Sequence, residues 1–380
     1  MADGDISQSR GGVTLPAVPP FFTVADLHAP SPPDPTRLLP PPRFKSVSFA
    51  NFLPQHPSQS EARNRLQEFV TLRHGLDGDA VTAVADERAA RRTRRSWSRP
   101  SWLGGTPAKR LGAGIYLDGG FGVGKTHLLA AAFAEADSSS KRYLTFQELV
   151  YLIGTLGRSE AEARLATSGL ICIDEFELDD PGNTLIVKSF LAALFAAGGS
   201  VVTTSNTPPD AQGRGRFNAQ DFQREIQSVA ERFEVVPVGG PDYRRRAPSA
   251  GWLDSATMAR LEAEASGPPP RLRLDFNELE GLLAAVHPSR YGGLVSQVGT
   301  VFLHEVTTIP DQNRALRFVH FIDKLYDSAV ALRATGADGT PLAELFDPSY
   351  RNSAYHKKHD RCLSRIGELL AEAHDPQPVA

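Results

Sequence analysis

The sequence predicts an α/β fold built on a parallel sheet, followed by a smaller, mostly helical region. Two observations carry this. Between residues 114 and 238, short apolar runs alternate with helical periods, the pattern of strands and crossover helices that bury a parallel sheet on both faces. Within that stretch one strand-to-helix junction reads Gly119-Gly120-Phe121-Gly122-Val123-Gly124-Lys125-Thr126. Glycines there let backbone N–H groups wrap a phosphate, and the helix behind them aims its positive end at the same anion.

Taken in order, strands are expected over 115–118, 143–145, 170–174, 200–204 and 234–237, with helices over 127–136, 185–197 and 220–232 between them. This is one nucleotide-binding core of the P-loop type, and with a helix over 59–74 (Ala62, Leu66, Phe69, Val70 and Leu72 on one face) it spans residues 59–248. Residues 1–58 are a proline-rich arm, partly disordered: 1–35 read as a free tail, while Phe44, Val47, Phe49 and Phe52 suit an extended segment packed on the core. A linker over 249–270, around Gly267-Pro268-Pro269-Pro270, leads to a mostly helical region over 271–380. Its helices are expected over 276–286 and 315–332, with a short strand over 301–306.

Bulk properties exclude several classes. The net charge of -3 gives no global pull towards nucleic acid or an anionic membrane. The arginine-dense segment Arg88, Arg91, Arg92, Arg94, Arg95 and Arg99, with Trp97 and Trp102 interleaved, has two readings: an acidic-partner or nucleic-acid patch, or a solvated helix face and loop. The near-neutral balance favours the second. Cys172 and Cys362 have neither metal-ligand spacing nor a disulfide framework, which fits a reducing cytosol. The start Met-Ala-Asp-Gly-Asp has no signal-peptide character, and no window reaches the roughly 18 apolar residues of a membrane helix. A cytoplasmic protein without an integral membrane segment is expected.

Three motifs carry chemistry. Gly119, Gly120, Phe121, Gly122, Val123, Gly124, Lys125, Thr126 and His127 are the expected ATP-binding residues, with Lys125 reaching the β- and γ-phosphates and Thr126 ligating Mg2+. Leu170-Ile171-Cys172-Ile173 is a strand buried on both faces, and it ends in Asp174-Glu175. Asp174 there suits the metal, and Glu175 can polarise the attacking water. The run Val201-Val202-Thr203-Thr204-Ser205-Asn206 ends in an amide that would face the γ-phosphate if its strand lies beside the first. His304-Glu305 lacks the second histidine of a zinc-protease helix, and His356 and His359 read as a solvated helix face.

These motifs in this order resemble the ASCE group of P-loop ATPases, and within it the AAA+ type. The runs Asp174-Glu175-Phe176-Glu177-Leu178-Asp179-Asp180, Leu191-Ala192-Ala193-Leu194-Phe195 and Thr204-Ser205-Asn206-Thr207-Pro208-Pro209 look like those of the ZapE cell-division ATPases and their mitochondrial AFG1-like relatives. So do Pro40-Pro41-Pro42-Arg43-Phe44, Asp242-Tyr243-Arg244 and Arg317-Phe318-Val319-His320-Phe321-Ile322-Asp323-Lys324-Leu325-Tyr326-Asp327; Cys362-Leu363-Ser364-Arg365-Ile366 is a fainter match. The likeness spans residues 38 to 370. It implies an ATPase that forms a homo-oligomer and acts, in bacteria, at the division site on polymers of the tubulin-like protein FtsZ; the mitochondrial relatives are linked to turnover of inner-membrane proteins.

One stretch departs from that family. Where it carries a Gly-Leu-Gln-Arg segment with a candidate arginine finger, this chain has Gly213-Arg214-Gly215-Arg216-Phe217-Asn218-Ala219-Gln220. Arg216 is the preferred substitute; Arg214, Arg224 and Arg232 stay open. Two other functions share the same core: a nucleotide-gated adaptor with negligible turnover, and a helicase-loader-like AAA+ protein.

Overall fold

The computed structural model describes residues 21–30, 38–74, 112–138, 140–165, 167–178, 181–209, 212, 227, 230–242, 251–265, 268–337, 339–352 and 355–374. Five strands, β1 (Ala113–Asp118), β2 (Lys141–Thr145), β3 (Leu170–Asp174), β4 (Ser200–Ser205) and β5 (Phe233–Pro237), form one sheet in the order β2-β3-β4-β1-β5. Every neighbouring pair is parallel. All five strands expected from the sequence are present, so the α/β P-loop reading holds.

Burial on both faces explains why these strands are nearly all apolar. Ile115, Leu117, Cys172 and Val202 point to one face, under α1 (Pro57–His74) and α2 (Lys125–Glu135). Their sequence neighbours Tyr116, Ile171, Ile173 and Val201 point to the other. There they meet α3 (Phe146–Leu156), α4 (Arg158–Leu165) and α5 (Pro181–Ala196). The period of two sorts each strand between the two layers. Because β4 lies between β3 and β1, their carboxyl ends bring the glycine loop, Asp174 and Asn206 side by side, where parallel sheets bind ligands.

The second unit is also built on a parallel sheet: β6 (Arg271–Asp275), β7 (Thr300–Val306) and β8 (Ala331–Gly336), in that order. Around it pack α6 (Ser255–Glu264), α7 (Phe276–Ala285), α8 (Tyr291–Val295), α9 (Gln312–Asp327) and α10 (His356–His374). Sequence reading found one strand here, and three form. The helix expected over 315–332 stops at Asp327, because Ala329 takes a left-handed φ of 55° and the apolar run after it enters β8. A short apolar run fits a helix or a strand equally well until its flanks are known. The stretch expected as linker holds α6, started by Asp254, whose carboxylate accepts from Thr257 N at 2.7 Å.

The arm ties the two units together. Residues 21–30, expected as free tail, dock on the second unit, Phe22 by an isolated bridge to β6: Phe22 N donates to Arg271 O at 2.6 Å, and Arg273 N donates to Phe22 O at 2.9 Å. Phe22, Val24 and Leu27 bury their side chains against the second core. Further on, Leu38 O takes the N–H of Tyr143 on edge strand β2, and Phe49 and Phe52 are buried against α2. The arginine-dense segment, the expected helix start at 220–226 and the candidate fingers Arg214, Arg216 and Arg224 lie outside the described residues; Arg232 is exposed.

Candidate nucleotide site

The glycine loop joins β1 to α2, and its glycines answer to two constraints. Gly122 and Gly124 take left-handed φ values of 66° and 88°, which side chains disfavour. A Cβ on Gly124 would also come within 2.6 Å of the Phe52 ring. The following helix is apolar from Leu128 to Phe133, so it seats firmly on the sheet and fixes the loop at its amino end.

Lys125 is buried to 8% exposure and curls back over the loop. Its Nζ donates to Gly119 O at 2.9 Å, to Gly120 O at 2.5 Å and to Asn206 Oδ1 at 2.9 Å. The loop lysine and the amide at the end of β4 are therefore in direct contact. Thr126 Oγ1 lies 3.3 Å from Asp174 Oδ1. One hydroxyl and one carboxylate side by side fit a magnesium ion, which takes few protein oxygens and completes its octahedron with water and phosphate. His127 turns instead to the arm, its Nε2 at 3.2 Å from Ser48 O and 3.1 Å from Asn51 Oδ1.

Asp174 is surrounded by neutral partners. Tyr143 OH donates to its Oδ2 at 3.2 Å, while Thr204 Oγ1 and Glu175 N both donate to Oδ1. Burial, with the neighbouring Glu175 charge, pushes its carboxyl above the usual carboxylate range despite those hydrogen bonds. Glu175 itself has a left-handed φ of 54°, a costly backbone for a side chain. Its N–H is fixed by Thr204 Oγ1 at 3.0 Å, which turns the carboxylate out of the strand line and towards the second unit.

There it meets α10. Arg361 NH1 donates to Glu175 Oε1 at 2.7 Å and NH2 to Asp323 Oδ2 at 2.5 Å. Arg365 donates to Asp323 Oδ1 at 2.5 Å and stands 3.7 Å from both Glu175 and Asp327. Burial and Asp323 act to raise the Glu175 carboxyl, but Arg361, then Arg365 and Lys358, override them and hold it below its ordinary value. Lys324 reaches across to Glu148 at 2.7 Å, the same glutamate that closes the capping box of α3 through Thr145.

These groups line a cavity of about 310 Å³. At one end are the glycine loop, Lys125, Thr126, Asp174, Glu175, Asn206 and the two arginines. At the other are arm residues including Phe52, Leu53 and Gln59, with Tyr326 and Glu368 of the second unit. Of the described sequence-expected site residues, Phe121 to His127, Asp174, Glu175 and Asn206 line it, with the His127 imidazole held by the arm; Gly119 and Gly120 lie behind, their carbonyls receiving Lys125. Sequence reading missed Tyr143, Thr204, Asp323, Arg361 and Arg365. One signal was present: Asp323 and Asp327 form an acidic i, i+4 pair, and Arg361 and Arg365 a basic one, two like-charged pairs that complement each other. His359, expected on a solvated face, is buried to 4% and stacks on Phe346 at 4.5 Å, because α10 packs it inward.

The chain resembles known proteins over most of its length. The chain is 26% identical over 354 residues to the cell division protein ZapE of Escherichia coli K12, covering 83% of this chain and 91% of that protein. It is 26% identical over 155 residues to lactation elevated protein 1 homolog B of Danio rerio, covering 35% of this chain and 31% of that one. Among solved structures, the DnaC helicase loader resembles 52% of the chain at TM-score 0.35 and 14% identity, covering 99% of that structure. The DnaI structure resembles 53% at TM-score 0.38 and 16% identity, covering 93% of it. A family model matches residues 54–267 and 270–375, nearly everything outside the arm, and by that match the chain belongs to the AFG1-like ATPases.

Proposed function

We propose that this protein hydrolyses ATP to ADP and phosphate with magnesium and uses that cycle to remodel polymers of the division protein FtsZ. The observation that supports it best is the meeting of Lys125, Asn206, Thr126, Asp174 and Glu175 in one cavity. Lys125 leaves the loop carbonyls for the β- and γ-phosphate oxygens, which are stronger acceptors. Asn206, already at its Nζ, orients the γ-phosphate or the water. Thr126 and Asp174 would hold the magnesium, which would supply neutralisation of charge on the phosphate oxygens. Glu175 takes the proton of the attacking water. Arg216 from a second copy of the chain supplies the finger, so the active form is a homo-oligomer.

The client rests on the likeness to the ZapE protein, and with it a cytoplasmic location and recruitment to the division site. A net charge of -3 argues for a protein client over nucleic acid. One observation favours the adaptor reading: Glu175 is engaged by Arg361, which would keep turnover low.

The test is sedimentation of FtsZ polymers with ATP, comparing wild type with K125A and E175Q, alongside phosphate release over a protein concentration series. Wild type should shift the polymers and release phosphate more steeply as its concentration rises. K125A should fail to bind ATP, and E175Q should bind it but turn over at least about 10²-fold more slowly. Turnover by E175Q at the wild-type rate overturns the base assignment. Phosphate release absent at every concentration leaves the adaptor.

A further inference from the structure

The arginine-glutamate contact between α10 and β3 joins the two units at the reacting carboxylate. Resting on the ATPase reading above, we infer that Arg361 is a brake on hydrolysis: it holds Glu175 in an ion pair, so α10 must release the carboxylate before it can act as a base.

Four features converge. The first is stoichiometry. Arg361 NH1 occupies Glu175 Oε1 at 2.7 Å, and Arg365 stands 3.7 Å from the same oxygen, so one acceptor atom faces two cations. The second is rigidity. Arg361 is anchored through its other nitrogen to Asp323, and both arginine side chains are 5% exposed or less. A buried guanidinium fixed by two carboxylates does not drift away by itself. The third is backbone. The left-handed turn at Glu175 aims the carboxylate at α10, and the N–H bond to Thr204 keeps it there.

The fourth is position. Arg361 and Glu175 form part of the wall of the nucleotide cavity and also of a second cavity of about 380 Å³. That second space lies between Tyr151 of α3 and His320 of α9, with His287 and Lys358 on its other walls. The pair is thus a partition. A shift of α10 against the core opens it from the second side and moves Arg361 away from Phe121 of the glycine loop, whose ring it overlies at 5.9 Å. Beside Glu175 stand Asp174 from β3, Asp323 from α9 and Arg361, Arg365 and Lys358 from α10, and a carboxylate oxygen held by Arg361 at 2.7 Å is not free to take a proton from water.

Arg361 acts through Glu175, so it is a positioning residue, and its removal has an outcome that damage to the fold would not mimic. Steady-state phosphate release by the full chain with saturating magnesium and ATP is compared for wild type, R361Q and R361K. R361Q should raise kcat about threefold or more. R361K, which keeps the charge but loses the fork that spans Glu175 and Asp323, should raise it by a smaller factor and covers the case in which R361Q does not fold. A fall in kcat with a rise in KM would make Arg361 a phosphate ligand and overturn the brake, as would kcat equal to wild type in both variants. Wild-type turnover that neither variant exceeds sinks the brake alone. Silence from all three proteins sinks the ATPase reading with it. A melting cycle without nucleotide reads the contact itself: R361K and E175Q should each lower the melting temperature, and the double variant should fall no further than the worse single one. Additive losses would show that the two residues are not coupled.

Discussion

Asp174 and Asp323 are both buried carboxylates, 8% and 6% exposed, yet they are satisfied in opposite ways. In the core, Asp174 receives three hydroxyls and one backbone N–H, all neutral, and burial pushes its carboxyl up. In the second unit, burial works the same way on Asp323, but Arg361 and Arg365 drive its carboxyl down to about 2. Hydrogen bonds orient a charge without cancelling it, whereas a guanidinium does both. Asp174 is therefore short of positive charge where magnesium is proposed. Asp323 is already saturated, so it can serve as a joint between α9 and α10.

The largest effect that would break this contrast is D323A. It leaves two buried arginines without their main partner, a loss of about 3 to 5 kcal/mol expected from removing one side of a buried pair. Chemical denaturation of the nucleotide-free chain measures it, and a loss under about 1 kcal/mol would show that the joint is not structural.

A smaller effect tests how far the cations reach. His320 faces the same cluster, and burial, opposed by Asp323 and Glu175 and aided by Lys358 and Arg361, lowers its imidazole from 6.5 to about 4. A folded-state value below the unfolded one gives stability that is full above 6.5 and is lost as pH falls through the window down to about 4. Between about pH 7 and pH 5 wild type should lose on the order of 1 to 2 kcal/mol more than H320Q. Asp327, lifted by burial to about 6, titrates nearby with the opposite sign, so the difference between the two proteins is the measure. Parallel stability curves would remove His320 from the cluster.

The smallest effect is on the neutral side. Y143F deletes one of four donors to Asp174 and should cost about 1 kcal/mol, read by thermal melting. A cost as large as that of D323A would erase the distinction between the two carboxylates.

The core was legible because its residues are forced locally. A left-handed turn at Gly122 and Gly124, a lysine opening α2 and an apolar strand ending in acid are requirements written over a few consecutive positions. The arginines of α10 are not forced locally. On the sequence alone, Arg361 and Arg365 look like the wet side of a helix, and only the packing of α10 on α9 turns them inward. For the same reason β6 and β8 were missed: Arg271-Leu272-Arg273-Leu274-Asp275 alternates as a half-exposed strand should, but it followed a proline run read as linker. The docking of Phe22 was not legible because its bridge to β6 uses only backbone groups, which composition does not reveal.

Arg43 lies 3.9 Å over the Tyr326 ring and pairs with Glu368 at 3.1 Å and Glu372 at 2.5 Å, more than three hundred residues further along the chain. The nucleotide cavity takes one wall from the arm and another from α10. Its assembly is thus a late event in biosynthesis: a ribosome-bound chain has made the glycine loop long before it has made Arg361. Until residues 356–374 emerge, the glycine loop stands without the wall that Arg361, Arg365 and Glu368 complete.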